Sequence, residues 1–355
     1  MPTALWWGRF DPDYSRNRIL RGLLRDLGWQ VVDYHPLISP LGDIEAHIRP
    51  LPRPDLVWVP CFRQRDLAAA RRWADRQGVP VVADPLISAY DKQVFERGKL
   101  TPHSWRAQRL KDWEGRLLRS ADLVLADTPA HARFFCATFA LPEHKVAVVP
   151  VGAEETVFRP CPPPRHDRVL HVLFYGSYLP LQGPEVVVEA ARLMRGQPIH
   201  WTLIGQGPLR GRCERLAQGL DTITFEDWVS YDELPHRICA ADVVLGIFGT
   251  TPKAGRVIPN KVYQGLACAR AVITRTSEAY PPVLIRCKGA GIYWVTAGEA
   301  EALAQCLYEL MQNPSERRAA AEQALKTYRT HFSNTAVHSA LSEALQCLSN
   351  RVRDG

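Results

Sequence analysis

No apolar run in the chain approaches the roughly 20 residues that a helix needs to cross a bilayer. The opening stretch MPTALWWGRFDPD has no basic start leading into a long apolar segment, so it does not read as a secretion signal. A cytoplasmic location is the expectation. No CxxC pair occurs among the nine cysteines, Cys61, Cys136, Cys161, Cys213, Cys239, Cys268, Cys287, Cys306 and Cys347. The number is odd and the spacing wide, so neither a disulfide framework nor a structural zinc site is indicated. Free, mostly buried thiols in a reducing compartment are expected. No carboxylate or histidine cluster stands at metal-ligand spacing, and no Ser-His-Asp arrangement can be argued, so neither a metal nor a resident cofactor is expected. The basic residues are scattered and carry no nucleic-acid motif, which argues against nucleic acid as a partner.

What is present is the composition of a globular enzyme. A length of 355 residues suits two domains of about 150 each. Hydrophobic residues make up 46% and charged residues 23%, a balance that excludes disorder over long stretches. The 28 prolines gather in loops after apolar runs, as in VVADP, VAVVPVG and FRPCPPP. A formal net charge of +7 suits an anionic nucleotide-sugar substrate or a loose association with acidic lipid headgroups.

The apolar runs are short and continuous, as in strands buried on both faces of a parallel sheet. They fall at 3–8, 29–34, 55–60, 79–84, 122–127 and 145–150. Amphipathic stretches separate them. In RNRILRGLLRDLG, Leu20, Leu23, Leu24 and Leu27 share one helical face and Gly28 stops the helix. The proline-rich segment 158–168 reads as an interdomain linker. A second alternating series follows, with strands at 168–176, 199–205, 222–227, 242–248, 271–274 and 291–295, and a helix near 259–269. Helical segments near 298–312, 314–331 and 334–352 end the chain. The expected fold is α/β: two Rossmann-like doubly wound domains facing an interdomain cleft. The expected divisions are an N-terminal acceptor-side domain over 1–160, a nucleotide-sugar-binding domain over 161–335, and a C-terminal helix over 336–355 that packs back on the first domain.

Five places carry candidate chemistry. Gly8 ends the first strand before a helix, where backbone can approach a ligand; a plain tight turn is the other reading. Gly205 and Gly207 follow a strand and open a helix in LIGQGPLRG, a near miss for the dinucleotide fingerprint because Gly211 comes one residue late. The loop FGTTPKAGRVIPNK gathers Lys253, Arg256 and Lys261 at or near a helix N-terminus, a strong site for a diphosphate; a solvated basic loop is the alternative. Asp84 ends a strand and Asp91 follows in its loop, where carboxylates bind sugar hydroxyls or steer a proton, or merely cap a helix. His131 sits in the first turns of a helix, where a structural role competes with an acceptor-side one.

The stretches RSADLVLADTPAHARFF…VPVGAEETVFRP, VLFYGSYLPLQGPEVVVEAARLM, WTLIGQGPL and NKVYQGLACARAVIT, in that order, resemble the family-four retaining glycosyltransferases of glycogen-synthase-like GT-B fold. The resemblance covers almost the whole chain. It implies that Gly176, Ser177, Gly205 and Gly207 approach the phosphates and sugar, and that Trp228 and Val229 line the base pocket. It further puts Asn260 and Gln264 on the donor-site helix and Asp84 near the reacting sugar. The chain also departs from the family. Where many members carry a basic pair after the first strand of the second domain, Ser177 or Tyr178 and Gln182 stand here. Where members carry two glutamates eight positions apart, Arg256 and Gln264 stand here, and Arg256 with Lys261 would replace the missing phosphate charge.

The reaction implied is metal-independent transfer of a sugar, with retention, from a nucleoside-diphosphate donor to a glycan, lipid-linked or small-molecule acceptor. Arg256 and Lys261 would neutralise the departing diphosphate. Two rivals use the same plan: a non-catalytic sugar-nucleotide or glycan-binding relative, motivated by the missing glutamates, and an epimerase.

Overall fold

The apolar runs become strands of two six-stranded parallel sheets in the computed structural model, which describes residues 1–49, 51–164, 168–287 and 289–354. The chain divides into two compact units, one of residues 1–151 with 337–355 and one of residues 152–336.

The first unit holds β1 (Thr3–Trp7), β2 (Gln30–Tyr34), β3 (Leu56–Val59), β4 (Val81–Ala83), β5 (Leu123–Ala126) and β6 (Val146–Val148), in sheet order β2-β1-β3-β4-β5-β6. Register follows the sequence, with Thr3 opposite Gln30 and Ala4 opposite Leu56. Successive residues of β1 feed opposite faces, Leu5 and Trp7 into one core and Ala4 and Trp6 into the other. Trp6 stacks on Trp58 at 4.9 Å. Helices cover both faces, which is why every residue of β3, β4 and β5 is buried and these runs are continuous rather than alternating. On the second face lie Leu20, Leu23 and Leu24 of helix Ser15–Asp26 beside Val337, Leu341 and Leu345 of the C-terminal helix Asn334–Asp354.

The second unit holds β7 (Leu170–Tyr175), β8 (Ile199–Ile204), β9 (Ile223–Glu226), β10 (Val243–Leu245), β11 (Ala271–Arg275) and β12 (Ile292–Val295), in sheet order β12-β11-β10-β7-β8-β9. Helix Asn260–Ala267 is buried from Lys261 onward. Gly265 lets it press onto the sheet, since a Cβ there would lie 3.1 Å from Val272 and 3.2 Å from Val244.

Of the expected linker, residues 165–167 lie outside the described residues. The part before them belongs to the second unit and is tied down there: Phe158 is buried, and Arg270 donates to the carbonyls of Cys161 and Pro162. The expectation of free thiols is corrected at this point. Cys161 and Cys239 form a disulfide across 78 residues, and the sulfurs of Cys161, Cys239 and Cys268 all lie within 4.8 Å of one another. Only the fold brings these residues together, so their spacing in sequence carried no signal.

Candidate functional site in the second unit

In each sheet the strand order reverses at one point, and in open α/β sheets ligands bind outside the carboxyl ends of the strands there. In the second unit the reversal falls between β7 and β10. The loop after β7 runs from Gly176 to Gly183 and the loop after β10 from Gly246 to Ile258. Their backbones are laced together, Phe248 N to Gln182 O at 3.0 Å and Gly249 N to Leu181 O at 3.2 Å. Two glycines permit this. A Cβ on Gly183 would lie 2.7 Å from Gly249 N, and one on Gly249 would strike the carbonyls of Pro180 and Leu181.

Gly205 and Gly207 serve the same end. A Cβ on Gly205 would collide with the Gly176 carbonyl, and one on Gly207 with the Ser177 carbonyl. These glycines therefore bring the turn after β8 against the turn after β7. Arg210, which the sequence reading passed over, fixes that junction by donating to the carbonyls of Gly205 at 2.6 Å and Glu226 at 2.7 Å.

Helix Asn260–Ala267 begins at the end of the second loop, with no side chain capping its first turn. Lys261 in that turn is 4% exposed. Its Nζ lies 3.9 Å from the centre of the Phe174 ring and 5.7 Å from that of Tyr175. It has no hydrogen-bond partner and no carboxylate beside it among the described residues. Burial pulls its pKa from 10.5 down to about 7. One turn on, Gln264 accepts a hydrogen bond from the Tyr175 hydroxyl at 2.8 Å. Asn260 is half-buried at the head of the helix, and Arg256 is half-buried with its backbone N–H on the Lys253 carbonyl. A cation buried without an anion among the described residues, at a helix N-terminus and a sheet's reversal point, makes this a candidate anion site.

The other expected donor residues divide. Ser177 is half-buried in the loop after β7, and Gln182 rests its side-chain amide on Gly176. Tyr178 is corrected from donor contact to core: it is fully buried and packs edge-on against Phe174 at 5.7 Å. Trp228 is 55% exposed and Val229 half-buried. Both follow the edge strand β9, two strands or about 10 Å from β7. Tyr231 of the same segment donates to Glu154 at 2.7 Å, a contact across 77 residues that no sequence signal announced.

The first unit reverses between β1 and β3. Gly8 lies there with φ +134°, and the space of its absent side chain is taken by Asp66 at 3.1 Å and Arg63. Asp84 does not face open space. It is fully buried, and Arg16 Nε contacts both its carboxylate oxygens at 2.9 Å while Arg16 also donates to the Val149 carbonyl. The structure thus corrects Asp84 from a catalytic candidate to half of a buried ion pair. Asp91 is buried too, its N–H held by the capping hydroxyl of Ser88. His131 is fully buried with its Nδ1 2.6 Å from Asp127. Neither presents an acceptor-side group at the surface of this unit.

Residues 5–152 match the family described as glycosyl transferase 4-like domain, and residues 170–313 the family described as glycosyl transferases group 1. Among curated proteins, the chain is 27% identical over 257 residues to a D-inositol 3-phosphate glycosyltransferase from Arthrobacter sp. (strain FB24), covering 66% of this chain and 59% of the relative. The chain thus spans less than two thirds of that relative's length. Among solved structures it is similar to sucrose-phosphate synthase from Thermosynechococcus elongatus, with TM-score 0.74, 16% identity, and coverage of 99% and 100% of the two chains. It is also similar to HepE from Anabaena in complex with UDP-glucose, with TM-score 0.71, 14% identity, and coverage of 98% and 99%. At such identities these likenesses speak for the fold.

Proposed function

The chain belongs to the group 1, family-four type glycosyltransferases of GT-B fold, and from that premise we propose that it moves a sugar from a UDP- or GDP-linked donor onto an acceptor hydroxyl, with retention, in glycan or glycoconjugate biosynthesis. The observation that carries this reading is Lys261, a buried amine without an anion at the reversal point of the second sheet. The UDP and UDP-glucose complexes of HepE support UDP as the base-bearing half of the donor.

Charge decides the mechanism. As the bond from the anomeric carbon to the β-phosphate oxygen breaks, negative charge grows on the diphosphate and the sugar takes on oxocarbenium character. Lys261, Arg256 and the uncapped N–H groups of helix Asn260–Ala267 meet that charge. The acceptor oxygen bonds to the same face of the anomeric carbon, and its proton passes to the departing phosphate. No side-chain base is required, in keeping with the burial of Asp84 and His131. The charge is supplied by the chain itself, so turnover needs no divalent metal. A soluble nucleotide-sugar donor goes with a cytoplasmic location.

The test is a radiolabelled-donor assay with UDP- and GDP-sugars and mixed lipid and glycan acceptors. Labelled product supports transfer. Specific UDP binding with no product and no donor cleavage would instead favour a binding protein, and sugar interconversion without acceptor would favour an epimerase.

A further inference from the structure

The first unit holds a cavity of about 980 Å³. Its walls come from the loops after β3 and β4, from helix Leu67–Gln77 and from helix Trp105–Ser120. Its lining includes the apolar Phe62, Ile87, Leu100, Leu110, Trp113 and Leu117, with Lys92 Nζ 5.9 Å over the Phe62 ring. The lining also carries six cations and, among the described residues, no acidic group. Arg63 and Arg72 are answered by Asp66 and Asp43. Arg65, Arg97 and Lys99 have no ion-pair partner among the described residues and are exposed. A cavity of this size with apolar lining and unanswered positive charge fits an amphiphile with an anionic head.

The surface beside it continues the theme. Pro40, on the cavity wall, lies in a segment where Leu37, Ile38, Leu41, Ile44 and Ile48 are 49 to 80% exposed. Five large aliphatics open to solvent within twelve residues are unusual on a soluble surface and mark a contact with an apolar phase. Arg72 and Arg76, both on Asp43, border the same segment.

We propose that this cavity is the acceptor site and that the acceptor is a lipid-anchored saccharide with a phosphate or diphosphate head, taken from a membrane surface met by residues 37–48. The head lies against Arg97, Lys99 and Arg65, and the first part of the apolar chain against Leu110 and Trp113. As an acceptor site the proposal rests on the glycosyltransferase reading; as a binding site it stands on the cavity alone.

The test uses the full chain and titration calorimetry, with farnesyl diphosphate as probe and farnesol and inorganic pyrophosphate as its two halves. UDP and GDP are titrated separately. Farnesyl diphosphate is expected to bind at least tenfold more tightly than either half. The double variant Arg97→Gln/Lys99→Gln, on exposed positions that do not threaten folding, should weaken it tenfold and leave UDP binding unchanged. Trp113→Leu, checked by thermal melting, should weaken it as well. Equal affinity for pyrophosphate and farnesyl diphosphate, or variants that bind like wild type, overturns the proposal. Failure of the wild type to bind either UDP or GDP would sink the glycosyltransferase reading and leave the cavity standing. In co-sedimentation with phosphatidylglycerol vesicles, Ile44→Glu/Ile48→Glu should lose at least fivefold of the bound fraction. If that variant instead turns a dimer into a monomer and sediments with vesicles as wild type does, the segment is an interface between copies, and the membrane source is overturned.

Discussion

Two buried cations, one in each unit, differ in what answers their charge. Arg16 is fully buried and finds both oxygens of Asp84 and the Val149 carbonyl. Lys261 is nearly as buried and finds two aromatic faces but, among the described residues, no anion. A buried ion pair returns most of the desolvation cost of its two charges within the fold. A lone buried amine leaves that cost standing until a ligand arrives, which is why its proton is held loosely. Burial at a strand end therefore does not by itself separate a binding cation from half of an ion pair; the partner does.

The contrast breaks most sharply at Asp84. Asp84→Asn strands the Arg16 charge in the core and should cost about 3–5 kcal/mol in urea unfolding of the first unit, with UDP affinity per folded molecule unchanged. Weaker UDP binding by the folded fraction would return Asp84 to the catalytic candidates.

Lys261→Met should reverse that pattern. Removing a charge-assisted contact worth about 1.5–3 kcal/mol lowers UDP affinity roughly 10- to 150-fold. Stability near neutral pH should hold or rise. The folded protein binds the Lys261 proton less tightly than the unfolded chain, so the wild type loses stability as pH falls from 10.5 toward about 7, and the variant lacks this slope. A variant less stable than wild type at pH 7 would show that the amine has a partner within the fold.

A smaller effect follows from the same proton. If UDP binds the charged amine, affinity should be highest below pH 7 and fall up to about tenfold per unit above it. Flat affinity from pH 6 to 9 would contradict this. The smallest expected effect is none: turnover measured with EDTA should equal turnover without it, and loss on chelation with recovery on adding magnesium would show that Lys261 and Arg256 do not suffice.

The same contrast explains what was legible in the sequence. Strands are local, so the run DLVLAD appears as β5 over Leu123–Ala126 and KVAVVP as β6 over Val146–Val148. Lys261 was legible because a Pro-Asn-Lys run after a glycine-rich loop marks the helix start at Asn260. Asp84 also sat where expected, at a strand's end, but its partner is 68 residues away and its side chain turns into the core. Tyr178 followed a strand in the same way, yet its backbone takes φ +46° and carries the ring inward beside Phe174. Sequence pattern gives the position of a residue along a strand or loop. It does not give the direction in which a loop side chain points, nor a partner from another element, and the cysteine cluster, the Tyr231–Glu154 contact and the grip of Arg210 all lie in that gap.

Titration of UDP into the protein at pH 8, in two buffers of different ionisation enthalpy, tests Lys261 most directly. If its amine receives the donor diphosphate, the wild type takes up about one proton per UDP bound and Lys261→Met takes up none. Proton-neutral binding of equal strength in both proteins would contradict the account.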